Sequence, residues 1–133
     1  MVAFPSMFSW KRPGNLGVTN GRLARCKRTP NCVSSQADPA DRRHYIAPIA
    51  FNASMADLRK AIEALPLATI VREERGYLYA EFRTPILRFV DDVEFLQDGA
   101  LLHVRSASRL GRRDFNANRN RIEQLRALLT STP

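Results

Sequence analysis

Hydrophobic and polar positions change their period along this chain, and each change marks an expected element. His44–Phe51 (HYIAPIAF) reads as a short strand, with Pro48 marking an edge or a bulge. Met55, Leu58, Ile62 and Leu65 then recur at helical spacing. Ser54 supplies an N-cap, Asp57 follows at near capping-box spacing, and Pro66 ends the run. Ala68–Glu74 and Tyr77–Arg83 read as strands around a turn at Arg75-Gly76, and Pro85 breaks the second. ILRFVDDVEFL and ALLHVRSAS flank Gln97-Asp98-Gly99, a strong hairpin signal. From Asp114 the period becomes 3.6, with Phe115, Asn118, Ile122, Leu125 and Leu129 in one stripe. Residues 1–43 show little periodicity and are rich in Pro, Gly, Asn and Arg. The expected fold is therefore α+β: an antiparallel four- to five-stranded sheet with two helices on one face, in the order β-α-β-β-β-β-α. An irregular basic arm (1–43) precedes a domain spanning 44–133.

The stretch FVDDVEF, Phe89 to Phe95, poses the sharpest question, because Asp is disfavoured in strands. With Asp98 and Gly99 as the central turn residues, Glu94 faces His103 and Asp92 faces Arg105 on one face. Phe95 with Leu102, Val93 with Val104 and Asp91 with Ser106 then share the other. Asp92 and Glu94 are expected to form cross-strand pairs on a polar, exposed face, worth roughly 0–1 kcal/mol each. Asp91 sits between Phe89 and Val93 on the face that meets the helices, where an unpaired charge costs several kcal/mol. Its expected partners come from the last helix and the connection before it. They form a cluster of Asp91, Ser106, Ser108, Arg109, Asn118 and Arg121, with Asp114 nearby.

A length of 133 residues fits one domain with a modest core, and no apolar run is long enough to span a membrane. No secretory signal is read at the N-terminus, so the default expectation is a soluble cytoplasmic protein. The net charge of +8 is unevenly spread, at +6 over residues 1–43, −3 over 44–98 and +5 over 99–133. An anionic partner fits that pattern. Nucleic acid is disfavoured, because no aromatic-studded strand of the RNA-reading kind is present.

Cys26 and Cys32 would close a small disulfide loop in an oxidising compartment, and would be thiols or half a metal site in a reducing one. Arg25, Lys27 and Arg28 would favour the Cys26 thiolate. Ser34, Ser35 and Gln36 form a polar loop that caps locally or lines a pocket. Ser106 and Ser108 have no histidine in a credible relay. Asp91 and Asp92 point to opposite faces of a strand, which argues against shared metal coordination. No metal and no cofactor are expected. Arg105, Arg109 and Arg121 offer planar bidentate donors to carboxylate or phosphate.

Thr29–Ala37 (TPNCVSSQA), Phe89–Phe95 and Arg105–Glu123 (RSASRLGRRDFNANRNRIE) together resemble the domain of unknown function 1499 family, over roughly residues 15 to 130. The family pattern places cysteines at Cys26 and Cys32, and Arg-Ser-x-Ser-Arg at Arg105 to Arg109. It continues with Asp114, Asn118, Arg119 and Arg121. Arg112-Arg113 is more basic than relatives show. The resemblance implies that these motifs form one site, and it implies no reaction. Relatives with membrane, lipoprotein or targeting segments imply that a membrane-associated or exported setting also fits.

The functional expectation is a binding or interaction module for a small anionic ligand or a protein partner. Its site would comprise Asp91, Arg105, Ser106, Ser108, Arg109, Asn118 and Arg121. Two alternatives stand beside it. One is an enzyme of unknown class using Asp91 as a base with Arg105, Arg109 and Arg121 as electrophiles. The other is a structural network, with partner binding through the basic arm.

Overall fold

The computed structural model describes residues 11–111 and 116–130. Its elements are β1 (Cys32–Ser34), β2 (Ile49–Ala50), α1 (Met55–Glu63), β3 (Ala68–Glu74), β4 (Tyr77–Arg83), β5 (Val90–Asp98), β6 (Leu101–Ser108) and α2 (Ala117–Thr130). The strands form a six-stranded sheet in the order β1-β6-β5-β4-β3, with β2 also paired to β6. All strand pairs are antiparallel. This is the expected α+β order with one strand more. The addition, β1, lies within the segment expected to be an irregular arm. Three residues are too few to show a period of two.

Each helix forms for a readable reason. Ser54 Oγ accepts from the Asp57 amide at 3.1 Å, and Asp57 Oδ2 accepts from the Ser54 amide at 3.1 Å, a complete capping box closed by a shorter acid. Leu58 and Ile62 of α1 and Ile122 and Leu125 of α2 are buried. They meet Leu78, Ala80, Phe82, Val93, Phe95, Leu102 and Val104 in one apolar cluster, so both helices cover the same sheet face. Arg112, Arg113, Asp114 and Phe115 lie outside the described residues.

The β5–β6 register differs from the expected one by two residues. Asp98 pairs with Leu101 and Asp91 with Ser108, so Gly99 and Ala100 occupy the turn. Gly99 has φ +60°, a conformation that suits glycine far better than aspartate; a turn centred on Asp98-Gly99 would start on the aspartate. A slip of two preserves every face, because side chains alternate with period two. Phe95 and Val104 therefore stay inward, while the cross-strand partners change. Glu94 meets Arg105, Asp92 meets Ala107 and His103 meets Leu96.

The second sheet face is covered too. Tyr77 and Tyr79 are buried there with Leu23, against Leu16, Val71 and Leu96. The segment around residues 12–25 thus lies over this face and takes Asp92 and Glu94 out of water. Asp92 is 1% exposed and Glu94 is fully buried, which corrects the expectation of an exposed polar face.

Ser54→Ala removes one half of the capping box. It should cost about 1 kcal/mol and lower the Tm by a few degrees, read by thermal denaturation. An unchanged Tm would mean that packing alone holds the start of α1.

Candidate functional site

The residues expected to form one cluster form two, on opposite faces of the sheet. On the helix face, Arg121 Nη1 donates to Asp91 Oδ2 at 2.6 Å, and its guanidinium lies over the Phe82 ring, 5.2 Å from the centroid. Ser106 Oγ donates to Asn118 Oδ1 at 2.5 Å, and Asn118 Nδ2 donates to Ser108 Oγ at 2.8 Å and to the Asn31 carbonyl at 3.2 Å. Asn118 is fully buried, and the group ties α2 to β5, β6 and the start of β1. Asp91, Ser106, Ser108, Asn118 and Arg121 therefore come together as expected. Arg109 and Arg105 do not join them.

Arg109 and Arg105 serve the second face, where strand alternation collects three carboxylates. Glu81 of β4 lies directly opposite Asp92 of β5, and Glu94 lies opposite Tyr79 on one side and Arg105 on the other. Arg109 grips Asp92 with two donors, Nε to Oδ2 at 2.9 Å and Nη2 to Oδ1 at 2.8 Å. The same Nη2 reaches Glu81 Oε2 at 2.5 Å, and Arg12 Nε reaches that oxygen at 2.6 Å. Tyr79 donates to Asp92 at 2.5 Å and Tyr77 donates to Glu94 Oε2 at 2.5 Å. The Gly17 amide adds a bond to Glu94 Oε2 at 2.7 Å, fastening the covering segment to the sheet. Gly17 has φ +100°, and a Cβ there would lie 3.2 Å from the Arg72 guanidinium.

The electrostatics follow from this enclosure. Burial alone would raise the Glu81 carboxyl, but hydrogen bonds and charge from Arg12 and Arg109 outweigh it and hold it below the ordinary range. Burial, then the bonds to Glu94 and Asp92, push the Tyr77 and Tyr79 hydroxyls up, so both remain neutral donors. Burial pulls the Arg105 guanidinium down against the opposing charge of Glu94. Arg105 and Glu94 approach to 3.5 Å, yet Arg105 Nε and Glu94 Oε1 are buried with no hydrogen-bond partner among the described residues. An unmet buried donor of this kind costs about 1–3 kcal/mol.

Arg105 and Arg109 open onto a cavity of about 440 Å³. Its wall also carries Lys11, Arg12, Asn15, Lys27, Thr29, Asn31, Cys32, Asp92, Ser108 and Gly111. Five cations and one carboxylate line it. Of the expected site residues, Arg105, Ser108 and Arg109 contribute to this wall, while Asp91, Ser106, Asn118 and Arg121 belong to the network on the helix face. Sequence reasoning missed Lys11, Arg12 and Lys27, which sit in loops without a period. It also missed Glu81, although Tyr77, Tyr79 and Glu81 alternate along β4 and mark its polar face.

Cys26 and Cys32 form a disulfide. Of the Ser34–Gln36 loop, Ser34 Oγ makes a local bond, accepting from the Gln36 amide at 3.1 Å, while Ser35 Oγ bonds across the fold, accepting from the Val104 amide at 2.9 Å and pairing with His103 Nδ1 at 2.9 Å. Gln36 Oε1 accepts from the Leu23 amide at 2.8 Å. Among the described residues, no group of three or more His, Cys, Asp or Glu side chains is placed to hold a metal, and no helix is long and apolar enough to cross a membrane.

Two outcomes test this arrangement. Arg109→Ala strands Asp92 and Glu81 without their shared cation and should cost about 3–5 kcal/mol in chemical denaturation; a loss below about 1 kcal/mol would contradict the pairing. Glu81 has a depressed folded pKa, so its stabilisation is present above its ordinary value of 4.5 and is lost as pH falls through the folded value. The Tm should drop as pH falls from about 4.5 through the folded value, and drop less steeply in Glu81→Gln. Parallel pH profiles for the two proteins would contradict the assignment.

Comparison with curated proteins and with solved structures finds no match. The family model described as protein of unknown function (DUF1499) matches residues 22–129, a span that includes the disulfide, both polar clusters apart from Arg12 and Gly17, and most of the cavity wall. The chain belongs to that family.

Proposed function

We propose that this domain is a binding module that takes a small anionic ligand in the basic cavity beside β6. The observation that carries the reading is the charge of the cavity wall, where Lys11, Arg12, Lys27, Arg105 and Arg109 stand against the one carboxylate of Asp92. A carboxylate or phosphate meets such a wall with charge-assisted bonds. Lys11 and Lys27 on the same wall form no ion pair among the described residues, and they add positive potential where a ligand would enter. A largely preformed concave site with a few convergent polar groups is the usual form of a small-molecule site.

An enzymatic reading lacks comparable support. Asp91, the carboxylate expected to act as a base, is bonded to Arg121 on the opposite sheet face from Arg105 and Arg109. Asp92 borders the cavity, but both its oxygens accept from Arg109 and one also from Tyr79.

A thermal-shift panel of phosphate, mono- and dicarboxylates and neutral sugars at millimolar concentration tests the reading. A ligand present at a hundred times its Kd stabilises the folded state by about 2.7 kcal/mol. At least one anion should raise the Tm by several degrees, and neutral sugars should not. The Lys11→Ala/Lys27→Ala double variant removes only exposed side chains, so it should keep its own Tm and lose the shift. An absence of any shift with anions, or a full shift in the double variant, would overturn the reading.

A further inference from the structure

The loop closed by Cys26 and Cys32 forms part of the cavity wall, contributing Lys27, Thr29, Asn31 and Cys32. Its two ends are held very differently. At the Cys32 end the chain enters β1. The Asn31 carbonyl accepts from the Ser108 amide at 3.0 Å, and Asn31 Nδ2 donates to the Gly111 carbonyl at 2.6 Å. The Thr29 carbonyl accepts from His44 Nε2 at 2.9 Å. Toward Cys26, a single hydrogen bond reaches residues 24–28 among the described residues, from Arg105 Nη2 to the Arg25 carbonyl at 3.3 Å. Lys27 and Arg28 are exposed. Between the anchors at Leu23 and Thr29, the disulfide and the Arg105–Arg25 bond are thus the ties between the Lys27 segment and the sheet.

The charge balance around the cavity gives that tie a consequence. Of the wall cations, Arg12, Arg105 and Arg109 each pair with Glu81, Asp92 or Glu94, and Arg83, outside the wall, also pairs with Glu81. Lys11 and Lys27 remain on the wall as a surplus of two positive charges with no carboxylate partner among the described residues. A dianion neutralises that surplus and a monoanion leaves half of it.

Resting on the anion-site reading above, we infer that the cavity takes a phosphate dianion and that the Cys26–Cys32 disulfide sets its affinity by holding Lys27 in the wall. A dithiol reductant is the partner that would open it. Its thiolate attacks the partly exposed Cys26 sulfur and displaces the buried Cys32 thiolate, which takes up a proton. The reductant's second thiol then resolves the mixed disulfide. Two electrons and two protons end on Cys26 and Cys32, and the reductant becomes a disulfide. Asn31 and Thr29 stay anchored, while Lys27 leaves the wall.

Calorimetric titration with inorganic phosphate at mildly alkaline pH tests the inference, on the oxidised protein and after treatment with dithiothreitol, a neutral reductant that cannot compete as an anion. Oxidised protein should bind phosphate more tightly than acetate. Reduction should weaken phosphate binding about tenfold, the loss of one charge-assisted contact. Lys27→Ala should bind at the weakened level and respond to reduction no further. Equal phosphate affinity in the two redox states overturns the switch alone. So does an equal loss on reduction in Lys27→Ala, because the effect would then not pass through Lys27. Acetate binding as tightly as phosphate overturns the dianion assignment. No binding of any anion to the oxidised protein overturns the site reading, and the inference with it.

Discussion

Glu81, Asp92 and Glu94 point to one face of two neighbouring strands, and that face is covered. Three carboxylates withdrawn from water would be prohibitive unless each met cations or donors in good geometry. Much of the rest of the second face answers that constraint. Arg109 answers Asp92 and Glu81 together, Arg12 answers Glu81 from the covering segment, and Tyr77 and the Gly17 amide answer Glu94. Losing Arg109 strips Asp92 of its bidentate partner, and Arg12 and the Gly17 amide tie the covering segment to Glu81 and Glu94, so that segment is held by electrostatics as well as by the small apolar patch around Leu23.

The two sheet faces divide the work of the domain. The helix face carries the main apolar core, and its polar insert is small and closed: Asp91 with Arg121, and Ser106 and Ser108 with Asn118. That network fixes how α2 sits on the sheet. The second face has a thin apolar cluster and a dense layer of charge. There the pairing is incomplete at Arg105 and Glu94, and it is there that the basic cavity opens.

Much of this was readable from residue order alone, and the reason is the period of two. Alternation along β5 and β6 put Asp91, Val93 and Phe95 on one face and Asp92 and Glu94 on the other, and that division survived a two-residue error in register. The Asp98-Gly99 signal could not say which side of the glycine the turn falls. That depends on which residue takes the positive φ. The burial of Asp92 and Glu94 was unreadable because the residues that cover them, from Arg12 to Leu23, have no periodicity. The separation of Arg109 from Asp91 was hidden for a related reason: Arg109 lies just past the end of β6, where alternation stops dictating direction. Lys11 and Lys27 reach the cavity from loops, and only the fold brings them together.

The buried carboxylates fasten the covering segment and so build the cavity wall. Amide hydrogen exchange at Gly17, whose N–H is bonded to Glu94, tests it most directly. This amide should exchange slowly, alongside the amides of β5 and β6. Exchange at the rate of an open loop would mean that the segment is not fastened to the sheet, and the cavity would lose the wall that Lys11 and Arg12 provide.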